Sequence, residues 1–330
     1  MNKFKLHRFS IIILVVVLQL VIITYLVSKL FNRESILGVQ VSVAPLSKKE
    51  LIFSSNDLRN FYEPIPGSIR KEVQEWNGQV TENKINSDAL NEPFDYQIPK
   101  PSDVFRIITL GDSFTYGVYV ETKDNYPEQL EAVLNQDVSC KNSRFEIINL
   151  GMPGYDVQYS VERFKKRGIK YAPDLIIWLL KDDDFSILNE LKLPLMHKIK
   201  EEMTAKNQLE DYYKQGLYHP ANFQANVQIS EMYGREAILQ YQLNAFNELS
   251  NYYSGKLIIM ILDSERSSHR NLIKAIVKDR PLTYYLEIPS IYKVDGAYLE
   301  DKHPSVEGYT MITKEVGNFL KSAQLIDCPL

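Results

Sequence analysis

Cysteine is scarce in this chain: 330 residues contain only Cys140 and Cys328. Two cysteines exclude a thiolate zinc cluster and a disulfide framework. They leave open whether the pair is joined, as an oxidising compartment would allow, or persists as two buried thiols. Histidine is also sparse, with five residues, and His197, His219 and His269 are scattered without ligand spacing, so a histidine metal centre is not expected. A basic excess is missing too. Lys and Arg number 38 against 42 Asp and Glu, a formal net charge of -4, and such a balance does not track a phosphate backbone, which excludes nucleic acid as the main partner. Internal repeats and low-complexity segments are absent. Tyrosine is abundant at 21 residues, but the pairs Tyr212-Tyr213, Tyr252-Tyr253 and Tyr284-Tyr285 do not make stacking platforms, because adjacent side chains point different ways.

One long apolar run is present. After Lys3, Lys5 and Arg8 no charge occurs from Phe9 to Ser28, enough residues at about 1.5 Å each to cross a bilayer core. The nearest small-residue pattern, Ser42-Val43-Ala44, lies far downstream and is followed by Pro45, which does not suit a cleavage site. The expectation is a cytoplasmic N-terminus at 1–8, a transmembrane signal anchor at 9–31 in contact with the lipid bilayer, and an extracytoplasmic remainder, since basic residues before the helix hold that end inside.

Residues 32–102 carry scattered charges and six prolines between Pro45 and Pro101 without sustained periodicity, and are expected to be a stalk or lead-in. From 103 to 330 the pattern is that of a catalytic domain. Short apolar runs at Val104–Leu110, Phe145–Leu150, Leu175–Leu180 and Leu257–Leu262 alternate with helical stretches such as Tyr126–Asn135 and Val157–Arg167. That alternation predicts an α/β domain with a parallel sheet covered by helices. A Lys/Glu/Tyr-rich helical insertion at about 185–234 interrupts the rhythm and is placed to cap a site. In such a sheet chemistry gathers at the carboxyl ends of the strands.

Two such places stand out. Gly111-Asp112-Ser113-Phe114-Thr115-Tyr116-Gly117 follows the first run as a tight strand-to-helix turn, able to present a serine hydroxyl beside backbone N–H groups. Near the C-terminus, Glu300-Asp301-Lys302-His303-Pro304-Ser305 sets two carboxylates within reach of one imidazole, which either could orient. Pro304 suits the first turn of the last helix.

Together with Asn149-Leu150-Gly151-Met152-Pro153-Gly154, these blocks resemble the SGNH (GDSL-like) hydrolase family over about Val104 to Phe319. The resemblance implies a flavodoxin-like three-layer α/β/α sandwich, no metal or other cofactor, and ester hydrolysis or acyl transfer. It implies Ser113 as nucleophile, His303 as base, Asp301 or Glu300 as the acid, and an oxyanion hole built from the Ser113 and Gly154 N–H groups. The family's third block departs here. In Lys181-Asp182-Asp183-Asp184 the residue in the place of the family's asparagine is Asp183, and an ionised carboxylate cannot donate to an oxyanion. Two functions follow as expectations. One is a membrane-anchored esterase or O-acyltransferase acting on acyl, chiefly acetyl, esters of carbohydrate, cell-envelope polymer or lipid. The other is a degenerate relative that binds glycan or acyl groups without catalysis.

Overall fold

The computed structural model describes Gln19 and residues 58–140, 144–205, 218–262 and 269–328. The expected anchor at 9–31 lies, apart from Gln19, outside the described residues. Among the described residues no helix is long and apolar enough to cross a membrane. The chain divides into residues 1–47 and 48–330, and the fold described is that of the second unit.

An antiparallel hairpin, β1 (Ile69–Val73) and β2 (Val80–Lys84), precedes a five-stranded parallel sheet. The sheet strands are β3 (Val104–Leu110), β4 (Arg144–Asn149), β5 (Leu175–Leu180), β6 (Lys256–Leu262) and β7 (Thr283–Ile288), in the order β4-β3-β5-β6-β7. Counted within the sheet this is the 2-1-3-4-5 order of flavodoxin-like folds, with its switch point between β3 and β5. The helices are α1 (Ser113–Tyr116), α2 (Tyr126–Gln136), α3 (Val157–Arg163), α4 (Asn189–Ala205), α5 (Tyr218–Tyr233), α6 (Arg235–Glu248), α7 (Arg270–Lys278) and α8 (Val306–Ser322).

Strand periodicity explains the three layers. All six side chains of β5 are buried. Leu175, Ile177 and Leu179 point into one core with Leu130 and Leu134 of α2 and Ile312, Val316 and Leu320 of α8. Ile176, Trp178 and Leu180 point into the other with Val157 of α3, Phe246 of α6 and Ile273 of α7. Successive side chains of a strand face opposite sides, so a central strand must be apolar throughout. The edge strand β7 escaped the sequence reading for the opposite reason: Tyr284 and Tyr285 lie on its two faces, and most of its side chains are only half-buried.

Residues 58–102, expected as a stalk or lead-in, fall in the same compact unit as the sheet. Arg163, fully buried, donates to the Leu150 and Ala89 carbonyls at 3.0 and 2.7 Å and pairs with Glu63 at 2.7 Å. Gln74 and Asn83 donate to the carbonyls of Tyr119 and Val120, at 3.1 and 2.9 Å, which latches the hairpin onto the loop after α1. The two cysteines form a disulfide across 188 positions, tying the tail beyond α8 to the end of α2. In the chain-entropy view a loop of that length contributes about 5 kcal/mol.

Glu131 on α2 accepts the Ile147 N–H at 2.7 Å. Burial pushes its carboxyl up to about 7, and Glu128 and Glu146 add to the shift. The folded state therefore holds this proton more tightly than the unfolded chain, and stability falls as pH rises from about 4.5 towards 7. Glu131→Gln keeps an acceptor and removes that cost. Urea denaturation should show the variant more stable than wild type at pH 8, by on the order of 2–3 kcal/mol, and nearly equal at pH 4.5; a difference independent of pH would contradict this.

Candidate active site

The site starts at Gly111, where β3 ends. Its φ of +146° is one that side chains rarely adopt, and a Cβ there would lie 2.3 Å from Thr115 Oγ1 and 2.9 Å from the Leu179 carbonyl, so only glycine lets the chain turn this tightly against β5. Asp112 caps α1 by accepting the Phe114 N–H at 2.9 Å. That leaves Ser113, 9% exposed, on the cleft wall. Asn149 at the end of β4 donates to the Thr115 carbonyl at 3.0 Å and accepts from the Gly151 N–H at 2.9 Å, fixing the neighbouring loop to the same turn.

His303 arrives from the other end of the sequence, on a loop whose Leu299 N–H donates to the His303 carbonyl at 2.8 Å. The loop reaches α8 through Ser305, whose hydroxyl caps the helix; Pro304 thus precedes the cap and is not in the helix's first turn. His303 Nε2 lies 2.8 Å from Ser113 Oγ, and His303 Nδ1 lies 2.7 Å from Asp301 Oδ2. Asp301 Oδ1 also accepts the His303 N–H at 3.1 Å. Burial raises the Asp301 carboxyl, but the hydrogen bonds and charge of His303 outweigh it and leave it below its ordinary value. An ionised Asp301 can only accept, so Nδ1 carries the proton and Nε2 offers its lone pair to the serine hydroxyl.

Of the two candidate acids, then, Asp301 meets the ring. Glu300 is exposed and takes no part in this chain of contacts. Lys302, between Asp301 and His303, has φ +76°, and the reversal this imposes folds Asp301 back onto the imidazole while Glu300 stays outside. The Phe114 and Tyr119 rings lie 5.1 and 5.9 Å from the imidazole.

Gly154, with φ +80°, lines the cleft, and a Cβ there would meet Tyr62 Oη at 3.0 Å. Its carbonyl accepts from Asn189 of α4 at 2.5 Å. Asp183 also lines the cleft, its side chain 55% exposed and 3.7 Å from Lys181 Nζ. Lys181 itself sits 2.8 Å from Asp112 and 4.4 Å above the Phe114 ring. Burial opposes its charge, yet Asp112, Asp183 and Asp184 more than compensate and raise its pKa. Asp184 is buried and accepts the Lys181 N–H at 2.8 Å; burial first, then Asp112, pushes its carboxyl well above the ordinary range.

The cleft, about 780 Å³, is walled by Arg70 and Glu72 of β1, the α1 turn, Lys181 and Asp183 beyond β5, Lys192 of α4, Asn222 of α5, and His303. It opens at the carboxyl ends of β3 and β5, the switch point of the sheet. The sequence reading missed the hairpin wall and the two lysines. Asn77-Gly78 lies in the connection Gln74–Gln79 between β1 and β2, longer than the two-residue loop such a dipeptide signals, and Lys181 directly follows a buried strand end.

No protein-family profile matches the chain, and no curated protein sequence matches it. Structural similarity extends to a two-domain esterase active on acetylated mannans, crystallised with mannopentaose, at 12% identity over 67% of this chain and 50% of that one, TM-score 0.42. It extends to a protein from Desulfitobacterium hafniense placed in the lipolytic G-D-S-L family, at 16% identity over 64% and 98%, TM-score 0.39. A third is Axe2, an acetylxylan esterase from Geobacillus stearothermophilus, at 15% identity over 68% and 97%, TM-score 0.39. The chain spans half the length of the two-domain esterase.

Proposed function

We propose that the chain is a serine esterase or O-acyltransferase of the SGNH type. The observation that carries this is the unbroken relay Ser113 Oγ–His303–Asp301, at 2.8 and 2.7 Å, lining a cleft. In this mechanism Ser113 attacks the acyl carbonyl while His303 takes its proton; Asp301 holds the tautomer and stabilises the cation that forms. His303 then protonates the departing alkoxide. Water or a sugar hydroxyl resolves the acyl-enzyme, giving hydrolysis or transfer. The Ser113 and Gly154 N–H groups are proposed to receive the oxyanion.

Acetyl esters of carbohydrate, envelope polymer or lipid are the proposed substrates. An extracytoplasmic location, with residues 9–31 as bilayer anchor, agrees with a disulfide that cytosolic thiol pools would reduce. Asp183, a carboxylate on the cleft wall where an amide donor would serve catalysis, favours a second reading: a relative that binds glycan or acyl groups without turnover. Release of acetate from acetylated xylo-oligosaccharide and from 4-nitrophenyl acetate by the full-length protein separates the two. Turnover of either ester is expected, and binding without turnover would support the second reading.

A further inference from the structure

Lys192 has no place in the chemistry above, yet it lines the same cleft as Ser113. It is only 5% exposed. Among the described residues its ammonium has no hydrogen-bond partner within 3.5 Å and no carboxylate within 4.0 Å. The nearby carboxylates are otherwise occupied. Both oxygens of Asp156 accept backbone N–H groups, from Tyr159 and Asn189, at 2.9 and 2.7 Å. Asp184 accepts from Lys181, and Asp183 leans towards Lys181 as well.

The position is unfavourable on three counts. A buried cation without a partner carries a desolvation cost. Lys192 is the fourth residue of α4, where the helix dipole already places partial positive charge. Burial, its largest influence, and the Lys181 charge lower the pKa of the amine, against the opposite pull of Asp156, Asp183 and Asp184, and the net direction is down. Asp156, Asp183 and Asp184 meet its charge only from beyond contact distance, and an ammonium that lines a substrate cleft without a direct hydrogen-bond partner is placed to take one from a ligand.

Asn222 of α5 lines the same cleft, and its buried Oδ1 likewise lacks a hydrogen-bond donor among the described residues. The two groups together define complementary chemistry: an oxyanion for the ammonium and a hydroxyl for the amide oxygen. Arg70 and Lys181 of the same cleft are already held by Glu72 and Asp112 at 3.0 and 2.8 Å, and the single ammonium of Lys192 matches a singly charged carboxylate better than a phosphate dianion, which is better met by several cations or an arginine fork. We infer that Lys192 and Asn222 form a subsite for a carboxylate-bearing sugar unit, so that the acyl chain carried to Ser113 sits on an acidic glycan. The inference rests on the reading that this cleft receives the acylated substrate, and adds to it the substrate's charge.

Binding to the full-length Ser113→Ala protein tests this without needing turnover. The probes are oligogalacturonate and a neutral xylo-oligosaccharide of the same length. A charge-assisted hydrogen bond in a desolvated site predicts a preference of about ten- to hundred-fold for the acidic chain. Lys192→Gln in that background should bring the ratio of affinities close to one, and Lys192→Arg should retain a preference. Equal affinities for the two probes, or a Lys192→Gln variant that weakens both alike, would overturn the inference. If Lys192→Gln fails to fold, the ratio in the parent protein and in Lys192→Arg decides. Absence of ester turnover by wild type together with preferred oligogalacturonate binding would reject the catalytic reading and leave the acidic subsite standing.

Discussion

Ser113→Ala is expected to lower kcat for 4-nitrophenyl acetate by about 10³ to 10⁶, and His303→Ala by a similar factor. The two residues act in one proton transfer, as the 2.8 Å contact between them implies, so the double variant should resemble either single one instead of showing the product of two losses. Asp301→Ala should cost less than either, because it removes the orienting partner and leaves nucleophile and base in place. Glu300→Ala should cost almost nothing, as its side chain stays in solvent. Steady-state kinetics on the five variants and the wild type checks this. A Ser113→Ala protein at the wild-type rate would remove the mechanism, and a larger loss from Glu300→Ala than from Asp301→Ala would reassign the acid.

Asp183→Asn is expected to raise kcat at pH 7. Asp183 lines the cleft that holds Ser113; it is proposed to stand where an amide donor would serve a developing oxyanion, and a carboxylate there would repel that charge. One well-placed donor typically changes the rate by about 10² to 10³. The gain here should be smaller, about ten- to hundred-fold, since the Asp183 side chain is 55% exposed and its charge is partly met by Lys181 at 3.7 Å. The nearby ammonium is itself held by Asp112 at 2.8 Å and is not free to replace the missing donor. Comparing kcat for both proteins on one small ester between pH 5 and 9 decides the matter. A variant unchanged or slower at every pH would place Asp183 outside the oxyanion's reach.

Legibility in the sequence followed burial. The strands β5 and β6 are almost wholly apolar, and β3 departs only at the buried Arg106 and Thr109, because both their faces are covered, and Ser113 and His303 stood out because each borders a recognisable strand end or helix start. The disulfide, β7 and the hairpin were not legible in the same way. Two cysteines 188 positions apart say nothing of their distance in space. The strands β1 and β2 carry charged residues on a half-exposed ribbon, a pattern that a loop would also show. Asp301 and Glu300 could not be told apart from spacing alone, since either can reach the ring until the left-handed turn at Lys302 chooses between them. Lys192 lay inside a charged helical insertion where one lysine resembles any other; only its burial sets it apart.

Reaction of the full-length protein with a fluorophosphonate probe, followed by peptide mass spectrometry, asks most directly whether Ser113 is an activated nucleophile. Phosphonylation needs a base to take the hydroxyl proton. Labelling should map to Ser113 in the wild type, be lost in Ser113→Ala, and fall sharply in His303→Ala. An unlabelled wild-type protein, or label on another residue that persists in His303→Ala, would contradict a Ser113–His303–Asp301 relay.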